Sequence, residues 1–395
     1  MPRPTPFHSR TSALCASYSW QEWSTYLSAN LYELEHIHEY YAIRTAAGLI
    51  DISPLYKYHI HGPDALKLLN RVVTRDVAIC TVGQVMYTPW CDEQGKVIDD
   101  GTLTRLDEKF FRLTAADPTL SWLLDNAIGF DVIIEDVSES LAALALQGPT
   151  SRDLLNAICD VDLSGLKFFR ATTANVGKIP VTITRTGYTG DLGYEIWVEP
   201  THAEALWDTL MDAGQAYRVK PAGNMALDMA RIEAGLLLIK VDFMSAKHTM
   251  FDIQRSTPFE LGLGWTVKLD KPYFVGQPAL CQEKARGPAW ATVGLEIDLP
   301  DLEVVYQAFD MPLQLPPASW NEAIPVYSNG TQIGKATSGT WSPILKSYIT
   351  LARLKPAYAQ PGTALEMEVT VEAHRRQAKA VVVETPFFNP ERKRT

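Results

Sequence analysis

Residues 86–116 read MYTPWCDEQGKVIDDGTLTRLDEKFFRLTAA, and three strand-like runs can be read in them: MYTPW (86–90), VIDDGTLTRL (97–106) and FFRLTAA (110–116). The turn formers Asp92-Glu93-Gln94-Gly95 and Asp107-Glu108-Lys109 separate the runs and are too short for a crossover helix. The stretch is therefore an antiparallel meander. Around it, helical spacing predicts helices at 64–73, 119–128, 149–158, 203–217 and 223–238, with strands at 141–147, 179–187 and 194–199. Asp64 stands where it can cap the first of these helices. The elements do not alternate with the regular spacing of a doubly wound parallel sheet, so the fold class is α+β.

Beyond about residue 285 almost every segment is strand-like: ATVGLEID, IPVYSNGTQIGKATSGTW, SYITLARL, TALEMEVTVEA and QAKAVVVETPFF. This predicts two regions, 1–285 with two intertwined α+β subdomains and 286–395 as a β-barrel-like domain. Asn329-Gly330 marks a hairpin, because both turn positions need positive φ. Residues 300–323, rich in proline, have no clean period and read as a long excursion. The tail ERKRT reads as a solvated basic end.

Composition narrows the class of function. Hydrophobic residues at 46% and charged residues at 21% are ordinary for a globular chain and exclude coiled coil, collagen and disorder. A formal charge of −10 has the wrong sign for a protein that wraps nucleic acid. The five cysteines are scattered and never form C-x-x-C, so no disulfide framework or zinc site is legible. No apolar run reaches the roughly 18–20 residues that span a bilayer, and the N-terminal residues lack the apolar core of a secretory signal; a cytoplasmic location is expected.

Three elements carry candidate chemistry. Alternation in 97–106 puts Asp100, Thr102 and Thr104 on one face and Asp99, Gly101 and Leu103 on the other. Two aspartates and a glycine contradict strand propensity, a conflict that marks either a function or a sheet edge. In RTGYTGDLGYEIWVEP (185–200), three glycines permit a compact loop and Glu195 opens an apolar strand. Its carboxylate either faces solvent or accepts donors from a basic side chain or a ligand. ALDMARIEAGLLLIKVD is an amphipathic helix on which Arg231 and Glu233 read as a surface ion pair. The pairs His36/His38 and His59/His61 lack a third ligand, so no metal is expected. ELGLGW (260–265), on a strand-like stretch, is not a phosphate cradle, and there is no G-x-S-x-G.

In this order the elements resemble the glycine-cleavage T-protein (aminomethyltransferase) family of tetrahydrofolate-dependent one-carbon transferases. The resemblance runs from EYYAIRTAAGLIDIS (39–53) through the three elements, STPFELGLGWTVKLDKPYFVGQPAL and GKATSGTWSPILKSYITLARL, to VVVETPFF. It implies a three-part cloverleaf around a central folate channel, ending in a β-barrel-like domain. It implies an enzyme that moves a C1 group, aminomethyl or methyl, from a donor to N5 of tetrahydrofolate, with folate and a lipoyl carrier protein or a small methylated donor as partners. Position by position, Asp100 matches the family's essential aspartate. Tyr87, Tyr188, Glu195, Arg231 and Leu55 match residues of the folate pocket, and Thr102 and Thr114, on the second and third runs of the meander, are expected to join them.

Some positions depart from the pattern. Thr114 stands where Asn is common, Pro54 replaces the His of D-V-S-H-M, and Ile239-Lys240 replaces Tyr-Gly. The departures crowd the donor side, which keeps open a demethylase acting on O-, N- or S-methyl compounds. A non-catalytic folate-binding module supporting iron–sulfur or tRNA-modifying proteins is the alternative of another class. Such modules carry K-G-C-Y-x-G-Q-E, whereas residues 271–278 here read KPYFVGQP.

Overall fold

The computed structural model describes residues 1–395. The meander is present: Val85–Cys91, Val97–Asp107 and Phe110–Ala115 pair antiparallel, and Tyr56–His61 and Ile133–Asp136 extend them to a five-stranded sheet. One face buries Tyr58, Ile60, Met86, Leu103, Phe111 and Leu113 against the helices Ala65–Val72 and Leu120–Ala127. Register places Tyr87 beside Thr102, Thr104 beside Arg112 and Lys57 beside Thr114 on the opposite, polar face.

This sheet is an excursion from another one. Ala47–Asp51 leads into it, and the chain returns at Ala142–Gln147 to pair with Ala47–Asp51. The second sheet has six strands, in the order Ala171–Val176, Ile179–Thr184, Gly193–Val198, Ala142–Gln147, Ala47–Asp51 and Val219–Pro221, with only the last pair parallel. Leu144, Leu146, Ile183 and Ile196 bury one face under the helices Ser151–Ile158 and Ala203–Gly214. Ala143, Ala145 and Trp197 pack the other toward the helices Ile37–Thr45 and Asn224–Glu233. Six antiparallel strands between Ala291 and Val383 then close a barrel around Leu295, Val326, Ile333, Met367 and Val382. The hairpin turn at Asn329-Gly330 has both residues at positive φ, 49° and 74°.

Several expectations need correction. The excursion 300–323 opens with a helix, Leu299–Gln307, whose start is capped by the Asp298 side chain accepting from the Asp301 N–H. Leu302 is its one fully buried residue, and Leu299 and Tyr306 pack beside it on the barrel core at helical spacing. The helix expected at 223–238 stops at Glu233, because Gly235 adopts φ +64°. The strand expected at 179–187 ends at Thr184. Gly264–Thr266 is a single 3₁₀ turn rather than strand. Asp64 precedes its helix without capping it; its carboxylate accepts instead from the Asp131 N–H and Lys67. In the tail, Arg392 is not free but pairs with Asp191 at 2.7 Å.

Candidate functional site

Asp99 and Asp100 are adjacent but do different work. Asp99 is fully buried and accepts from the N–H groups of Asp100, Ala116 and Asp117 at 2.8–3.0 Å. It thereby ties the strand to the end of its neighbour, which holds Asp100 on the polar face. Gly101 is required at the next position: a Cβ there would stand 1.9 Å from the carbonyl oxygen of Thr114. The D-D-G run that opposes strand propensity is thus a close backbone crossing with an acid on either side.

Asp100 itself is half-buried. Burial pushes its carboxyl up to about 6, and the hydrogen bond donated by the Tyr87 hydroxyl opposes the rise. Tyr87 stacks on Trp265, with ring centroids 6.1 Å apart and planes 25° apart, and Trp265 is 57% exposed. The aromatic pair extends from Asp100 to the surface. Thr102 and Thr114 bond to each other across the strands, Oγ1 to Oγ1 at 2.7 Å.

Glu195 lies on the strand Gly193–Val198, half-buried, opposite Thr184 in register. The Thr184 hydroxyl donates to it at 3.3 Å and itself accepts from the Trp197 indole N–H at 3.3 Å. Burial raises the Glu195 carboxyl; a Thr186 hydrogen bond, the charge of Arg112 and the Thr184 hydrogen bond oppose that rise. Arg112 stacks its guanidinium on Trp197, Cζ to ring centroid 4.1 Å, and so links the polar face of the five-stranded sheet to the Glu195 strand. Sequence reading missed Arg112, Trp197 and Thr184, although alternation in FFRLTAA puts Arg112 on the same face as Thr114.

Tyr188 and Leu55 pack against the same apolar cluster as Trp197. The Tyr188 hydroxyl donates to the carbonyl of Leu237. Arg231, 1% exposed, lies close enough for its charge to act on Tyr188. It is not on the helix surface. Nε donates to Asp228 at 2.6 Å, Nη1 to Asp242 at 2.5 Å and Nη2 to Asn321 at 3.0 Å, so every guanidinium nitrogen is engaged within the protein. Glu233 is buried as well, paired with Arg44 at 2.6 Å and accepting from Ser342 at 2.5 Å. Both residues of the supposed surface pair are framework, each bound to partners remote in sequence.

At the rim, Lys240 pairs with Asp117 at 2.7 Å, and His248 approaches the same carboxylate at 3.5 Å. Lys240 adopts φ +71°. The Lys271 ammonium, in KPYFVGQP, is buried and donates to the carbonyls of Asn70, Val73 and Arg75 at 2.6–2.7 Å. That explains a lysine there by packing alone.

Residues 7–271 match the GCVT N-terminal domain, and residues 311–389 match the glycine cleavage T-protein C-terminal barrel domain. The chain belongs to the glycine-cleavage T-protein family. Aminomethyltransferase from Halothermothrix orenii is 35% identical over 356 residues, 89% of this chain and 91% of that protein. Trimethylamine-oxide aldolase from Ruegeria pomeroyi is 34% identical over 408 residues, covering 100% of this chain but 48% of the aldolase, so the chain spans about half that relative's length. Among solved structures, the glycine cleavage system aminomethyltransferase T from Bartonella henselae superposes with a TM-score of 0.83 at 25% identity, over 98% of this chain and 99% of that one. The three-part α+β fold with its closed barrel is the T-protein fold.

Proposed function

We propose that the protein is a tetrahydrofolate-dependent one-carbon transferase, with Asp100 as its catalytic residue. The observation that carries the reading is the presence of two half-buried carboxylates of different character in one T-protein fold: Glu195 among hydroxyl donors, Asp100 beside Tyr87 with its carboxyl raised to about 6. A reduced pterin fits these residues. Its ring N–H and 2-amino group form a donor pair that one carboxylate accepts side by side, and Glu195 would hold that edge. Tyr87, Tyr188 and Leu55 supply flat apolar contact, and Thr102 and Thr114 close the wall between them. Arg231 supports Tyr188 and the helix behind it.

Bound tetrahydrofolate supplies the nucleophilic N5. Asp100, ionised above about pH 6, stabilises positive charge that develops as N5 attacks the transferring carbon and takes the proton that N5 gives up. Calorimetric titration with tetrahydrofolate, followed by mass analysis of folate products, tests the reading. Absence of binding, or of any product across a broad donor panel, overturns it.

The donor divides the proposal. An aminomethylated lipoyl carrier releases ammonia and yields 5,10-methylenetetrahydrofolate; a small O-, N- or S-methylated compound yields 5-methyltetrahydrofolate. The similarity to a trimethylamine-oxide aldolase, over the whole of this chain and about half of that protein, favours a small methylated amine or a C1 unit released from one. No helix is long and apolar enough to cross a membrane.

A further inference from the structure

Arg112 is 2% exposed, yet its guanidinium donates no hydrogen bond within the protein, and Nε and Nη2 are sealed from solvent without a partner. An uncompensated buried cation costs several kcal/mol, so a fold keeps one only where something else pairs with it. The stacking on Trp197 occupies one flat face of the group and leaves its N–H rim free. The carboxylate whose charge reaches it is Glu195, which makes no contact ion pair with it. Burial lowers Arg112 only to about 10, so it stays protonated. His59, its cross-strand neighbour, is pushed down to about 4 by burial and by Arg112 itself, so it is neutral and adds no competing charge.

The hydroxyl groups nearby are committed. Thr184 bonds Glu195 and Thr186, and Thr102 bonds Thr114. The free donors on this face are therefore the Arg112 guanidinium and the neutral His59 imidazole, of which only Arg112 is charged, and the carboxylate whose charge reaches Arg112 is Glu195. A pterin edge carries three groups in a row: the 4-oxo oxygen, which accepts, then N3–H and the 2-amino group, which donate. Glu195 satisfies the two donors and leaves the oxygen in need of an N–H.

We infer that Arg112 is a recognition residue that donates to the 4-oxo oxygen of the pterin, so that Arg112 and Glu195 together select a 2-amino-4-oxo edge. This rests on the folate reading. A 2,4-diamino pterin places a donor where the oxygen was and meets the guanidinium donor to donor.

The test compares tetrahydrofolate with its reduced 2,4-diamino counterpart by calorimetry, on the wild-type protein, Arg112→Met and Arg112→Lys, with thermal melting to confirm folding. Wild type is expected to prefer the 4-oxo ligand. Arg112→Met should weaken tetrahydrofolate binding about 10- to 100-fold, the size of one charge-assisted hydrogen bond, while changing diamino binding less than about threefold. Arg112→Lys keeps the charge but loses the planar rim and should show a smaller drop in preference, and it serves alone if the methionine variant does not fold. An unchanged preference in a folded variant, with wild type binding tetrahydrofolate normally, overturns this inference alone. Failure of wild type to bind tetrahydrofolate overturns the folate reading and this inference with it.

Discussion

Asp99 holds the backbone N–H of Asp100 at 2.8 Å, so the buried acid of the pair fixes the open one. The arrangement separates two demands that one carboxylate cannot meet. Asp99 spends its oxygens on three N–H groups, whereas the Asp100 carboxylate is half-buried and has the Tyr87 hydroxyl beside it.

Turnover should depend on the ionised form of Asp100. With its carboxyl raised to about 6, activity is expected to fall as pH drops through 6. Tyr87→Phe removes a hydrogen bond that favours the charged form, so the acid limb of the pH–rate profile should move upward. A limb unmoved by that change would assign the titration to another group.

Asp100→Asn should cut turnover by at least about 100-fold while tetrahydrofolate binding stays within a few-fold of wild type. It should also stabilise the protein. A carboxyl whose pKa rises from 3.8 to about 6 on folding is protonated in both states below 3.8 and opposes folding increasingly as pH climbs to about 6. The variant should therefore melt like wild type below pH 4 and be more stable by about 1–3 kcal/mol at pH 7.5. Melting curves across that range give the sign directly.

Gly101→Ala should be severely destabilising. The added carbon meets the Thr114 carbonyl at 1.9 Å and Trp90 at 3.4 Å, and neither strand can yield without breaking the ladder that sets Asp100. A loss of about 3 kcal/mol or more in urea denaturation is expected, together with loss of activity.

Lys240→Gly exchanges an exposed ion pair for relief of a left-handed backbone. The pair with Asp117 is 62% exposed on the lysine side and contributes little, whereas φ +71° costs a non-glycine residue about 1 kcal/mol. Thermal stability should stay level or rise by up to about 1 kcal/mol. A marked drop would show that the ion pair holds the rim closed.

The parts of this architecture set by local rules were legible in the sequence: the meander from period-two alternation and short polar turns, the hairpin from Asn329-Gly330, and the shift to strand beyond 285. Asp100 stood out because Asp and Gly break a β-branched run. What local pattern could not show was partnership. Arg231 finds Asp242 and Asn321, eleven and ninety positions away, and Glu233 finds Arg44 and Ser342, so an apparently surface pair is buried. Arg112 drew no notice in FFRLTAA because its meaning depends on Trp197 and Glu195, supplied by another sheet.

The helix Asn224–Glu233 is gripped from the barrel side. Ser319 and Asn321 hold Asp228, Asn321 holds Arg231, Ser342 holds Glu233, and the Phe388 N–H closes on the Glu233 carbonyl at 2.8 Å. Cutting the chain after Arg286 would take Ser319 and Asn321 from Asp228, Asn321 from Arg231 and Ser342 from Glu233, the last two of these charges being buried. The C-terminal third is accordingly a clasp, and its loss would loosen the wall behind Tyr188 both through this helix and through Asp191, which Arg392 holds.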